Sequence, residues 1–207
     1  MGKPLSLTLL YTADIAGDLA LLPRLYTFTQ RLRPPAGSPA LLLDLGRSCA
    51  EGVWHCRETG GRSTLTVLDG MGYHAANVAG ALDRDNRDKL AEQVTLALVD
   101  EGRDWLYQTA PFSSHAIRFT LRPRDEAARL QVVMTPAESS RIDGNALFLE
   151  AIGAGMIGLA TVELHGEPRL ISARVHVMPP NTAPNPSIAG TVDFVEAEAR
   201  YFAKQAR

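Results

Sequence analysis

Three short apolar runs in the first 80 residues constrain the fold of this chain more than any other feature. They span residues 5–11, 40–44 and 74–78, and a polar or glycine-containing loop follows each of them. Runs of this length and composition are typical of strands that are buried on both faces. Segments with helical patterning lie between them, at 19–32 and 63–71. The β–loop–α–β order predicts parallel strands joined by right-handed crossovers.

The second half of the chain has a different pattern. β-rich runs at 115–121 and 130–134 flank a charged turn and predict a hairpin. Two further runs, at 156–164 and 170–178, flank the turn sequence His-Gly-Glu-Pro and predict a second hairpin.

Two more helices are predicted outside the first 80 residues. Residues 85–101 begin with an aspartate that can cap a helix, and residues 187–204 carry one apolar stripe at spacings of three and four. A chain of 207 residues can bury about 70% of its unfolded surface. We therefore expect residues 1–207 to form a single domain.

The charge and hydropathy of the chain exclude two classes of partner. The net charge of −2 comes without a basic stripe, so nucleic acid is not expected. No apolar stretch approaches the roughly 20 residues that span a bilayer, and no signal-peptide cleavage pattern follows the N-terminus. These features predict a soluble cytoplasmic protein that does not bind membranes.

The two cysteines, Cys49 and Cys56, are too few for a disulfide framework and suit a reducing compartment. Together with His55 they suggest a metal site or a reactive thiol. A structural zinc site needs four ligands, however, and no Cys-x-x-Cys pair is present. The favoured interpretation is two loop cysteines without a chemical role.

Four segments carry motif-like sequences: LTLLYTADIAGDL at 7–19, LLLDLGRS at 41–48, MGYHAANVAGALD at 71–83 and ALFLEAIGAGMIGLATVEL at 146–164. Together they resemble the metallophosphoesterase (calcineurin-like phosphoesterase) superfamily, in particular its 5′-nucleotidase branch. Residues 7–19 look like the family's opening strand followed by Asp-x-His, and residues 41–48 are similar to the strand that ends in Asp-x-Gly-Asp-Ser. Residues 71–83 resemble the Gly-Tyr-Asp-Ala strand that leads to Gly-Asn-His-Glu, and residues 146–164 are similar to the family's late hairpin. The resemblance implies an α/β fold, a shortened four-layer sandwich of two mixed β-sheets flanked by helices.

Active members of this family bind two metal ions, and this chain lacks most of the ligands that the family pattern requires. Asp14 is kept, but Ala16 replaces a histidine and Arg47 replaces the aspartate that bridges the metals. The segment 80–82, Gly-Ala-Leu, stands where the family has Asn-His-Glu, and no histidine matches a ligand position. We therefore expect no metal ligands and no cofactor.

Arg47 is the most informative of these replacements. A guanidinium stays protonated at physiological pH, so between two divalent cations it would add repulsion instead of coordination. The sequence predicts that Arg47 pairs with Asp14, with Asp44 as a second nearby partner, because an unpaired buried carboxylate is costly.

The resemblance and the lost ligands predict a non-catalytic protein that binds an unknown protein partner or a small anionic ligand at Asp14, Arg47 and Gly80. One alternative is an active phosphoric ester hydrolase with an atypical site for a divalent metal ion. Such a site would draw on remnant residues: Asp14, Asp44, Arg47, His74 and Asp83. The other alternative is a structural subunit of a homo-oligomer.

Overall fold

The computed structural model describes residues 5–35, 38–108, 116–125 and 128–205. These residues form eleven strands: β1 (Ser6–Thr12), β2 (Ala40–Asp44), β3 (Ala75–Asn77), β4 (Ala97–Val99), β5 (Trp105–Tyr107), β6 (Ile117–Thr120), β7 (Leu130–Ala137), β8 (Arg141–Asp143), β9 (Ala146–Glu150), β10 (Met156–Glu163) and β11 (Arg169–Val177). A 3₁₀ turn at Leu19–Leu21 precedes the first of five α-helices: α1 (Leu22–Leu32), α2 (Trp54–Glu58), α3 (Arg62–Gly70), α4 (Arg84–Ala91) and α5 (Pro186–Gln205).

The first sheet has the strand order β11-β10-β1-β2-β3-β4. Strands β1, β2 and β3 are parallel, as the β–loop–α–β order predicted, and β4, which was not predicted as a strand, pairs with β3 in the same direction. Strands β10 and β11 join the other side of β1 in antiparallel orientation, which confirms the predicted hairpin at 156–178. The carboxyl ends of β1, β2 and β3 therefore meet at one edge of this sheet.

The second sheet has the strand order β5-β6-β7-β9-β8 and is also mixed. The hairpin predicted for 115–134 is wrong, because β6 and β7 are parallel, with Ile117 opposite Leu130; His115 lies outside the described residues. The segment 146–164 is not a hairpin either. Its first strand, β9, pairs with β7, whereas β10 lies in the first sheet, so the chain crosses between sheets here.

Two hydrophobic clusters define the layers. One lies between the two sheets and includes Leu9, Leu43, Phe119 and Val132. The other lies between the first sheet and the helices, and the buried stripe predicted for α5 contributes to it. The two mixed sheets with flanking helices are confirmed. Of the four layers expected, the described residues supply three, because their helices all pack on the outer side of the first sheet.

The helix predicted for 85–101 is correct only in its first half. It begins after Asp83 and ends at Ala91, after which β4 extends the first sheet. The Asp69 carboxylate explains this ending, since it accepts hydrogen bonds from the backbone N–H groups of Thr95 and Leu96 at 2.9 and 2.8 Å. A helix would use those groups internally. None of the helices in the described ranges is both long and apolar enough to cross a bilayer.

Candidate functional site

Two loops leave the carboxyl edge of the first sheet side by side. The β1 loop (residues 13–18) and the β2 loop (residues 45–53) are joined by backbone hydrogen bonds. The N–H groups of Asp14, Ala16 and Gly17 donate to the carbonyl oxygens of residues 46, 47 and 48, over 2.7–3.0 Å. In parallel α/β sheets, ligands bind at this edge.

Both loops contain residues in a backbone conformation that is unfavourable for any residue with a Cβ atom. Asp14, Ala16 and Arg47 have φ angles of 55°, 54° and 57°, in the left-handed region. This conformation costs roughly 1 to 2 kcal/mol for a residue with a Cβ. Strain of this kind persists only where the surrounding structure imposes it, and it is concentrated at functional sites.

The predicted ion pair between Arg47 and Asp14 is confirmed. Arg47 Nε lies 3.3 Å from Asp14 Oδ1, with 78% of the arginine side chain and 41% of the aspartate side chain exposed. The two charges attract each other, but the pair does not have hydrogen-bond geometry. Oδ1 is shielded from solvent and has no hydrogen-bond partner among the described residues. An ion pair as exposed as this one stabilises a fold by at most about 1 kcal/mol.

Asp44 is not the second partner of Arg47 that the sequence suggested. Its side chain is fully buried, and both carboxyl oxygens are hydrogen-bonded within the protein. Thr12 Oγ1 lies 3.1 Å from Oδ1, while Gly46 N–H and the Ser48 hydroxyl donate to Oδ2 over 3.2 and 2.7 Å. Burial raises the pKa of Asp44 to about 7, although each of these hydrogen bonds lowers it. Asp44 therefore fixes the β2 loop and does not face a ligand.

A cavity of about 340 Å³ opens between the two loops and the second sheet. Its polar side chains are Asp14, Arg47 and Asn77, and the remaining lining residues are small or apolar: Ala13, Leu45, Gly46, Ala79, Pro136, Ala151 and Ile152. The ion pair therefore does not fill the space at the edge of the sheet. A small ligand could reach Arg47 through this cavity.

Asn77 is a residue of this site that sequence reasoning missed. Its Nδ2 donates to the carbonyl oxygens of Leu45 and Met134 at 3.1 and 3.3 Å, and its Oδ1 accepts from Ala79 N–H at 3.0 Å. It thereby ties β3 to the β2 loop and to the second sheet. The sequence feature that could have identified Asn77 is an amide side chain within an otherwise apolar strand. Such a side chain must find hydrogen-bond partners when it is buried.

Three of the predicted site residues lie elsewhere. His74 precedes β3 at the opposite end of the strand, where its Nδ1 accepts from Leu42 N–H at 3.0 Å and burial lowers its pKa. Asp83 caps α4 by accepting from Asn86 N–H at 2.8 Å, a bond that lowers the pKa of this carboxyl. Gly80 lies in an exposed turn with a φ angle of 74°, next to the cavity but not among its lining residues.

The donor set at this edge does not fit the two-metal centre that the sequence resemblance implies. Among the described residues, Asp14 is the one carboxylate that lines the cavity. Both carboxyl oxygens of Asp44 are hydrogen-bonded within the protein. At this edge of the sheet, the described residues include no group of three or more His, Cys, Asp or Glu side chains that lie close enough together to share an ion. Two divalent cations need several oxygen or nitrogen ligands, whereas Arg47 offers a positive charge.

The prediction of two cysteines without a role is wrong. Cys49 and Cys56 form a disulfide, with their Cα atoms 5.7 Å apart. The disulfide links the β2 loop to α2, and His55, the neighbour of Cys56 in α2, is buried. Sequence spacing could not reveal this bond, because the loop conformation decides whether the two Cβ atoms face each other.

Solved structures share this fold. The chain is similar to the calcineurin-like phosphoesterase YfkN from Bacillus subtilis, with a TM-score of 0.67 and 10% identity over 97% of this chain and 100% of that one. It is also similar to a 5′-nucleotidase precursor from Thermus thermophilus, with a TM-score of 0.62 and 11% identity over 97% of this chain and 59% of that one. Sulfate thiohydrolase SoxB from the same organism has a TM-score of 0.65 and 11% identity over 96% of this chain and 61% of that one.

These comparisons confirm the fold predicted from the sequence, that of calcineurin-like phosphoesterases and 5′-nucleotidases. The chain spans about three fifths of the length of the nucleotidase precursor and of SoxB. No protein-family model and no curated protein matches the sequence. At 10–11% identity the likeness establishes the fold and not the activity.

Proposed function

We propose that this chain is a non-catalytic protein with a metallophosphoesterase fold, which binds a small anionic ligand beside Arg47. The observation that carries the proposal is the exposed guanidinium at the mouth of an open cavity of about 340 Å³. The cavity lies at the sheet edge where proteins of this architecture present ligands. Here a fixed cation replaces the metal ions of the family.

The geometry of the ion pair supports anion binding. Asp14 approaches Arg47 through Nε, and the terminal nitrogens of Arg47 form no hydrogen bond with the described residues. A guanidinium binds phosphate or carboxylate oxygens through two parallel N–H donors. The terminal nitrogens can therefore bind such a group while the Asp14 carboxylate remains beside Nε.

The strained loops support a binding role as well. The left-handed conformations of Asp14, Ala16 and Arg47 cost free energy, and the mutual hydrogen bonds of the two loops maintain them. Glycine at any of these positions would remove the strain. A surface without a function would have no reason to keep all three side chains there.

Arg47→Met should weaken anion binding by at least about tenfold, because each charge-assisted hydrogen bond contributes about 1.5 to 3 kcal/mol. Calorimetric titration of the purified protein with inorganic phosphate and with adenosine monophosphate measures the effect. Arg84→Met is the matched control, since Arg84 is 85% exposed on α4 and lines no part of this cavity. Wild-type protein that binds neither probe at millimolar concentration, or equal affinity in Arg47→Met, contradicts the proposal.

The absence of catalysis is tested separately. We expect no hydrolysis of a generic phosphomonoester or phosphodiester in the presence of magnesium, manganese or zinc. Turnover above that of heat-inactivated protein would overturn the non-catalytic assignment and favour the atypical hydrolase.

A further inference from the structure

A second cluster of chemically reactive side chains lies on the helix side of the β2 loop. The sulfur atoms of Cys49 and Cys56 and a ring nitrogen of His55 all lie within 4.8 Å of one another. Within the described ranges this is the one group of three or more side chains able to share a metal ion. None of the three lines the cavity beside Arg47, so the cluster is a separate site.

The hydrogen bonds of His55 prepare it for coordination. Its Nε2 lies 2.9 Å from the carbonyl oxygen of Gly17, and a carbonyl only accepts, so Nε2 carries the proton. Nδ1 therefore keeps its lone pair and accepts from the Ser63 hydroxyl at 2.8 Å. In metal sites, a ligating histidine commonly donates its other N–H to a backbone carbonyl in this way.

The lone pair of His55 Nδ1 points toward the Ser63 hydroxyl, which lies beside both sulfur atoms. The oxygen atom of this hydroxyl is 3.4 Å from Cys49 Sγ and 3.8 Å from Cys56 Sγ. An ion that takes the place of this hydroxyl would lie among one nitrogen and two sulfur donors. Zinc binds such donors at about 2.0 to 2.3 Å.

The cluster is accessible to small molecules. A cavity of about 210 Å³ is lined by both cysteines, of which Cys49 is the more exposed, and on its other sides by Ala50, Glu51, Arg57, Gly60, Gly61, Ala81 and Asp83. It provides a path for an ion and room for water in a fourth coordination position. Three protein ligands and one open position are typical of reactive zinc sites.

We propose that, once the disulfide is reduced, Cys49, His55 and Cys56 bind one borderline or soft divalent ion of the zinc class. A dithiol reductant breaks the bond between the two sulfur atoms, transfers two electrons and two protons to them, and becomes a disulfide itself. The ion then binds both sulfurs as thiolates and releases the two protons. In the oxidised protein the sulfur atoms are bonded to each other and the site is closed.

Titration of the reduced protein with cobalt(II), a spectroscopic substitute for zinc, tests this proposal. We expect one equivalent to produce thiolate-to-cobalt charge-transfer absorption and the intense visible bands of tetrahedral cobalt, both removed by zinc. The oxidised protein should show neither. Cys49→Ser should weaken binding at least about tenfold, whereas His165→Gln, which changes an exposed histidine of the β10–β11 turn, should bind like wild type.

A second readout keeps the test valid if the variant fails to fold. In reduced wild-type protein, one equivalent of zinc should protect both cysteines from alkylation, as counted by mass spectrometry. Reduced, folded wild type that binds no stoichiometric cobalt contradicts the proposal, as does alkylation at an unchanged rate with zinc. Anion binding at Arg47 is measured on the oxidised protein, so either proposal can fail without the other.

Discussion

Asp44→Asn should raise the free energy of unfolding, relative to wild type, by about 4 kcal/mol more at pH 8 than at pH 4. The reason is the pKa of the Asp44 carboxyl, which burial raises from an unfolded value of 3.8 to about 7. Below pH 4 the carboxyl is protonated in both states, and its stabilising contribution is complete. That contribution is lost as the pH rises toward 7, because the unfolded chain ionises first.

Asparagine can reproduce the protonated form of this side chain. A protonated Asp44 can donate from Oδ1 to Thr12 Oγ1, 3.1 Å away, while Oδ2 accepts from Gly46 N–H and Ser48 Oγ. An amide with its nitrogen at the Oδ1 position makes the same three hydrogen bonds without a charge. Its second N–H is an additional donor whose effect does not depend on pH. The substitution therefore removes the cost of a buried negative charge and keeps the β2 loop in place.

Urea unfolding of both proteins from pH 4 to pH 9 measures this effect. Asp193→Asn is the control, because Asp193 is exposed on α5 and its replacement should shift the curve very little. We expect the wild-type and Asp44→Asn curves to separate with rising pH between about 4 and 7. A constant offset over the whole range would show that Asp44 is ionised in the folded protein.

Gly158→Ala should lower the free energy of unfolding by about 3 kcal/mol or more. Gly158 of β10 is paired with Tyr11 of β1, and an added Cβ would overlap the Cζ, Cε1 and Cε2 atoms of the tyrosine ring. Tyr11 is 1% exposed and packed between the two sheets, so the ring cannot move aside without disturbing the core. Overpacking a core usually costs 1 to 3 kcal/mol, and here the obstacle is a rigid ring.

Chemical denaturation compares this variant with Gly190→Ala. Gly190 lies inside α5, where an added Cβ meets no atom within 4 Å, so alanine should stabilise by about 0.5 to 1 kcal/mol. The double substitution Tyr11→Leu with Gly158→Ala should recover part of the loss, because the shorter side chain leaves room for the methyl group. Equal stability of wild type and Gly158→Ala would refute the packing described for Tyr11.

The parts of this fold that depend on local patterns were predictable. The apolar runs of β1 and β2 were identified because burial on both faces requires consecutive apolar residues, and α5 because burial of one helix face gives an apolar stripe at spacings of three and four. The ion pair between Arg47 and Asp14 followed from motif positions and charge. In each case the decisive residues are neighbours in sequence or belong to a recognisable motif.

The parts that depend on contacts between distant residues were not predictable. The pattern of apolar residues in β6 and β7 is the same whether the two strands run parallel or antiparallel. The parallel pair was therefore wrongly predicted to be a hairpin. Pro136 and Ile152 complete the cavity from residues about 90 to 140 positions after the β1 and β2 loops. The Cys49–Cys56 bond depends on the path of a loop without periodicity.

Electron paramagnetic resonance of Mn²⁺ during titration with the oxidised protein tests most directly whether Arg47 has replaced the metal centre. Mn²⁺ prefers oxygen and nitrogen ligands, so the cysteine cluster does not interfere. We predict that the signal remains that of the free aqueous ion at every protein concentration, because the cavity offers one carboxylate beside a fixed cation. Loss of the free-ion signal with a stoichiometry of two ions per chain would contradict this account.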